Sequence, residues 1–211
     1  MVVSSVRKHC GALAILGFII GAGATCVEAQ SPESPLEAGA QVSILRLNEF
    51  DITDAGIGAT AAWHLSPRLA IDGTLAWFPG ERDFHADGLA SQGRVLGLVG
   101  ARSGITRDRV DIFGRARTGF LRFAELDDVF CILIFPATLG CRLASGYTAF
   151  AFDIGAGAIA RLDSAGRWQA RIDVGDLLVR YNFAARRPNG EMTEGFVSHN
   201  LLTSVGLVWR F

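Results

Sequence analysis

Apolar and polar residues alternate along most of the chain with a period of two, the repeat of a strand with two unlike faces rather than of a helix. In 54–65, Ile57, Ala59, Ala61, Trp63 and Leu65 share one face, while Asp54, Gly56, Gly58, Thr60 and His64 share the other. In 68–78, Leu69, Ile71, Leu75 and Trp77 oppose Arg68, Asp72 and Thr74. The stretch 110–120 sets Ile112, Ala116, Thr118 and Phe120 against Asp111, Arg115 and Arg117. In 148–162, Phe150, Phe152, Ile154, Ala156, Ala158 and Leu162 face away from Asp153, Gly155, Gly157 and Arg161. Trp168, Ala170, Ile172 and Val174 alternate with Gln169, Arg171 and Asp173, and the last segment runs Leu201, Thr203, Val205, Leu207, Trp209, Phe211. The stretch 36–47 alternates less cleanly, and 92–104 leaves open which face is which. The pattern predicts eight strands, each long enough to cross a bilayer when tilted, which takes about 9–11 residues.

The connections carry a second pattern. Strands two and three join through Ser66-Pro67-Arg68, four and five through 106–109, six and seven through 163–167, all rich in turn formers. The segments 48–53, 79–91, 124–145 and 181–197 are longer. Short and long connections therefore alternate, as they must when one end of a barrel is trimmed and the other elaborated.

Composition narrows the classes. Twenty Lys+Arg against 21 Asp+Glu give no basic excess for displacing counterions from phosphates, which argues against a nucleic-acid partner. With half its residues hydrophobic, the chain has too much apolar surface to remain disordered. After the N-terminus no run of about 18 apolar residues escapes a charge or a helix breaker, so a helical membrane bundle is disfavoured. The N-terminus itself reads as an address. Arg7 and Lys8 precede an apolar run over 11–24, and Val27-Glu28-Ala29 ends on a small residue. This predicts a signal peptide over 1–29, cleaved near Ala29, and a short leader over 30–35. An uncleaved anchor and acylation at Cys26 are the alternatives. Cleavage would leave Cys131 and Cys141, expected to form one local disulfide in an oxidising compartment.

The placement of charge selects among all-β folds. The polar face mixes small residues with Asp72, Asp111, Arg115, Arg117, Asp153, Arg161, Arg171 and Asp173, and contains no lysine, the only one being Lys8. The apolar face carries aromatic residues near strand ends, where interfacial girdles would lie. The expectation is an all-β, eight-stranded antiparallel up-and-down transmembrane barrel over 36–211, with short periplasmic turns and longer outer loops. Its interior is wide enough only for side chains. The eight charged residues are accordingly expected to form an interior ion-pair network that leaves no open pore.

These features, with the terminal Leu201–Phe211 stretch, resemble the small outer-membrane β-barrels of the OmpA/OmpX type over residues 36–211. The resemblance implies a bacterial outer-membrane location among its lipids. It also implies that Leu207, Trp209 and Phe211 serve as a signal to the barrel-assembly machinery. A structural or surface-interaction role follows, with no catalytic residue, metal or cofactor assigned; fold alone does not give activity.

Other residues carry two readings. His64 is either a general base or a polar residue near a tight turn. His85, between Asp83 and Asp87, is either a metal ligand or an ordinary loop residue. His199 with Ser198 or Ser204 invites comparison with lipid-modifying barrel enzymes, although unbulged alternation puts either serine on the opposite face and no orienting carboxylate is evident. A soluble periplasmic barrel around an apolar ligand is the remaining alternative. The apolar run 129–135, inside the 124–145 connection, either packs over the barrel mouth or contacts a partner or lipid. The cysteine expectation is directly checkable: mass spectrometry of non-reduced exported protein should yield a Cys131–Cys141-linked peptide, and two free thiols there would contradict it.

Overall fold

The computed structural model describes residues 35–80, 93–125, 143, 145–183, 185–186 and 192–211. Eight long antiparallel strands close into a barrel: β1 (Leu36–Leu47), β2 (Ile52–Ser66), β3 (Leu69–Phe78), β4 (Arg94–Arg107), β5 (Val110–Glu125), β6 (Ser145–Arg161), β7 (Trp168–Tyr181) and β10 (Phe196–Arg210). Each pairs with its neighbours in sequence, apart from β7 with β10. The cylinder is sealed by β1 against β10, in register from Glu37 opposite Arg210 to Arg46 opposite Leu201. Closure leaves no strand edge with unpaired backbone groups. Two short strands, β8 (Ala185–Arg186) and β9 (Met192–Thr193), form a separate ribbon in the last long connection, which the alternation does not reveal.

The tight turns follow from their residues. Ser66 Oγ accepts the backbone N–H of Leu69 at 3.1 Å in the β2–β3 turn. Asp108 takes the left-handed conformation (φ 54°) in the β4–β5 turn, which a short polar side chain tolerates better than a branched one.

Through most of the barrel's height the apolar face is outside. Trp77, Ile154 and Val205 point away from the axis and are 50%, 53% and 56% exposed, whereas Asp72, Asp153 and Arg171 are buried within. The arrangement is the reverse of a soluble barrel. The facing of β4 is settled as well: Arg94, Leu96, Leu98 and Arg102 are inward, and Val99 and Ile105 outward. This strand resisted reading because apolar residues occupy both of its faces.

The strands run further toward the long connections than their polar–apolar alternation predicts, with β5 reaching Glu125, β7 Tyr181 and β10 beginning at Phe196. At that end the polarity exchanges sides. Leu45, Leu121, Phe123, Leu177, Val179 and Tyr181 are buried inside, while Arg46, Arg122, Arg180 and His199 point out. The interior core of the protein is this upper apolar cluster, joined by Phe78, Leu96 and Leu143. Tyr181 lies at its centre, stacked on Phe196 with ring centroids 4.9 Å apart. Leu143 belongs to the 124–145 connection and is fully buried in the mouth. The apolar run 129–135, Cys131, Cys141 and the segment expected to be a signal peptide lie outside the described residues, as does His85.

Below the apolar cluster the bore is crowded, and glycine makes room. A Cβ on Gly157 would stand 2.6 Å from both Asp173 Oδ1 and the Phe113 ring. Gly157→Val should therefore overpack the interior and destabilise the barrel by about 1–3 kcal/mol. The check is a lower urea midpoint for tryptophan-monitored unfolding; an unchanged midpoint would mean that the bore has slack.

Candidate functional site: the charged interior

The inward charges converge from four strands. Asp72 comes from β3, Arg115 and Arg117 from β5, Asp153 from β6, and Arg171 and Asp173 from β7, each on the inward side of its alternation. They form a closed cycle of alternating sign. Asp72 Oδ1 meets Arg171 Nη1 at 2.8 Å, and Arg171 Nε reaches Asp173 Oδ2 at 2.8 Å. Asp173 Oδ1 lies 2.6 Å from Arg115 Nη1, and Arg115 Nε lies 2.8 Å from Asp153 Oδ2. That oxygen also accepts from Arg117 Nε at 2.9 Å, and Arg117 Nη1 returns to Asp72 Oδ2 at 3.3 Å. Three carboxylates thus balance three guanidiniums, all of them nearly inaccessible to solvent.

Neutral groups complete the coordination. Arg117 Nη1 donates to Thr74 Oγ1 at 2.8 Å, and Arg171 Nη1 to Thr60 Oγ1 at 3.3 Å. The guanidiniums of Arg102 and Arg171 lie 5.3 Å and 5.2 Å from the centre of the Phe113 ring, within cation–π range. Ser43 and Ser204 share a hydrogen bond of 2.9 Å on the β1–β10 side of the bore.

Of the eight charged residues singled out in sequence, six make the cycle and two do not. Asp111 and Arg161 pair with each other at 3.3 Å near the short-turn end, where both side chains are partly solvated. They sit at the start of β5 and the end of β6, below the level of the cycle, and belong to the rim. The sequence reading also missed three interior groups. Glu37 binds both Arg102 and His64, the latter at 2.7 Å. Arg102 in turn approaches Asp72 at 4.0 Å, which connects this cluster to the cycle. Higher up, Arg94 pairs with Asp54 beneath Phe123. Glu37 was obscured by the weak alternation of β1, and Arg94 and Arg102 by the undecided facing of β4.

The histidines resolve into different roles. His64 is a half-buried partner of Glu37. His199 is 67% exposed on the outside of the wall, its Nδ1 2.7 Å from Asp176 of β7, itself 43% exposed. This carboxylate is 23 residues away in sequence, so only the β7–β10 register brings it alongside. The serines lie on the other side of the wall: Ser198 donates to Asn200 Oδ1 at 3.1 Å inside, and Ser204 is held by Ser43. Among the described residues no group of three or more His, Cys, Asp or Glu side chains is placed to hold a metal ion.

No family model matches the sequence, and no curated protein does. Solved structures do. The N-terminal β-barrel domain of Pseudomonas aeruginosa OprF is similar with a TM-score of 0.50 at 8% identity, over 83% of this chain and 97% of that one. Neisserial surface protein A gives a TM-score of 0.50 at 12% identity, over 83% of this chain and 96% of that one. Both are small eight-stranded outer-membrane barrels, and this chain has their fold.

The cycle should behave as one unit. Removing one buried member leaves the others uncompensated, so Asp72→Asn is expected to cost about 3–5 kcal/mol. Asp51→Asn, which breaks the exposed Arg46–Asp51 pair at 3.1 Å, should cost less than about 1 kcal/mol. Urea unfolding of the two variants side by side checks this; equal losses would mean that burial of the cycle has no energetic weight.

Proposed function

We propose that the chain is an exported protein of the bacterial outer membrane whose wall spans the bilayer and whose interior is closed by its own charge pairs. Its role is structural or interactive, exercised through the long connections. One observation carries this reading: a belt of outward apolar side chains, bounded by Trp63, Trp168 and Trp209 at one end and Trp77 and Phe120 at the other, encloses a bore of paired charges. Such a surface suits hydrocarbon and is costly in water. The exchange of polarity beyond the upper girdle then marks where the strands leave the lipid. The fold shared with outer-membrane barrels supports the location. By the usual arrangement of such barrels, the long connections face outward and the short turns face the periplasm.

The closed interior follows from the cycle, which fills the cross-section with side chains that hold one another. A surface partner would meet the long connections, 124–145 among them. Leu207, Trp209 and Phe211, at the end of the outward row of β10, suit recognition by the barrel-assembly machinery. A lipid-active role keeps one supporting observation, the outward His199–Asp176 hydrogen bond, but Ser198 and Ser204 point away from it.

The test is in two parts. Protein extracted from the outer-membrane fraction should migrate as a compact form on detergent gels until boiled. Reconstituted into a planar bilayer, it should give no unitary conductance steps. Reproducible steps from the wild type would overturn the closed interior, and recovery solely in the soluble fraction would overturn the location.

A further inference from the structure

The short-turn end carries arginines that neither the interior cycle nor the apolar belt explains. Arg68 lies in the β2–β3 turn, Arg107 and Arg109 flank Asp108 at the β4–β5 turn, Arg167 precedes β7 and Arg210 ends β10. In the strand order around the wall, these four places fall at successive quarters of the circumference. Each stands within three residues of the last outward apolar side chain of its strand: Leu65, Ile105, Val110, Trp168 and Trp209.

Arg68, Arg107, Arg109 and Arg167 are exposed, and among the described residues none of their guanidiniums is in an ion pair. The nearby acids are few and partly engaged. Asp111 is held by Arg161, and Asp163 Oδ1 accepts the backbone N–H of Trp168 at 3.1 Å. Asp108 and Asp163 keep their charge without a guanidinium partner among the described residues, two carboxylates against more numerous turn arginines. The opposite end has a slight acidic excess among its described residues, with Arg46, Arg122, Arg180 and Arg186 against Glu49, Asp51, Glu125, Asp176 and Glu194.

We infer that the short-turn rim is a collar for anionic phospholipids, in which Arg68, Arg107, Arg109 and Arg167 bind headgroup phosphates beside the outward tryptophans. The inference rests on the proposed bilayer placement. Three physical facts favour this occupant. Guanidinium stays charged and grips a phosphate through two parallel N–H bonds. Tryptophan settles at headgroup level, and Trp168 and Trp209 stand edge to face with centroids 4.8 Å apart at this rim. Exposed charge at three of the four quarters of the rim matches a lipid annulus, whereas a wall polymer or protein would approach from the periplasmic side and favour one sector.

The four tryptophans, three of them at this rim, provide the probe. The purified full-length exported protein is reconstituted into phosphatidylcholine vesicles containing a minority of phosphatidylglycerol, with bromine on the acyl chains of one lipid or the other. Brominated phosphatidylglycerol is expected to quench severalfold more than its mole fraction predicts. The excess should vanish in R68Q/R107Q/R109Q/R167Q, shrink in about 1 M NaCl, where screening acts over roughly 3 Å, and persist in R122Q at the other end. If the fourfold variant does not fold, R68Q/R167Q and R107Q/R109Q should each lose part of the excess. Quenching in simple proportion to mole fraction, or an excess that survives these substitutions, overturns the collar while leaving the bilayer placement intact. Co-sedimentation of the rim with peptidoglycan in place of any lipid preference would assign the arginines to the cell wall and also overturn it. Absence of quenching by either lipid would remove the bilayer placement itself.

Discussion

Charge neutrality inside a narrow cylinder is the constraint on which the structure depends. The bore of an eight-stranded barrel is just wide enough for side chains to fill, so each guanidinium buried there must find a carboxylate and each carboxylate a donor. Alternation around a closed cycle meets that demand economically, because every member of the Asp72–Arg171–Asp173–Arg115–Asp153–Arg117 series touches two of opposite sign. Arginine suits the task better than lysine. Its planar group bridges two carboxylates at once, and it sits over an aromatic ring as Arg102 and Arg171 do over Phe113. The glycines at 157 and 175 serve the same end, since a side chain at either would meet Asp173 or Asp153.

The interior is built in two layers with different physics. Near the short turns it is ionic and hydrogen-bonded; toward the long connections it is a conventional apolar core centred on Tyr181 and Phe123. The outside of the wall changes in the opposite sense, from an apolar belt to Arg46, Arg122, Arg180 and the His199–Asp176 pair. A side chain pointing the same way is thus apolar at one height and polar at another. In the proposed setting this is what hydrocarbon followed by water would select, and it lets the upper barrel use the ordinary hydrophobic effect where lipid no longer surrounds it.

That inversion also explains what could be read from sequence. The fold class, the strand count and the inward position of six charged residues were legible because, within the apolar belt, every second residue differs sharply from its neighbours. The upper parts of β5, β7 and β10 were not, because a rule taken from the belt assigns Leu121, Phe123 and Leu177 to the wrong face once the polarity has exchanged. The partners Glu37, Arg94 and Arg102 were hidden in strands with weak contrast. Asp176 could not be matched to His199 by any local pattern, since the match depends on register between strands. Asp111 and Arg161 were assigned to the right face and do pair, but alternation does not encode height, so their place at the rim outside the cycle was not legible.

The cycle also runs across the cylinder. Asp72 on β3 and Arg171 on β7 lie on strands half a circumference apart, four places away in either direction around the wall. No hairpin can bring them together; they meet across the bore only as the sheet curls shut toward the β1–β10 seam. Until that moment the three carboxylates and three guanidiniums have to stay hydrated. Rolling up and drying out are consequently a single event for this chain, so sealing of the seam is rewarded electrostatically from the far side of the molecule.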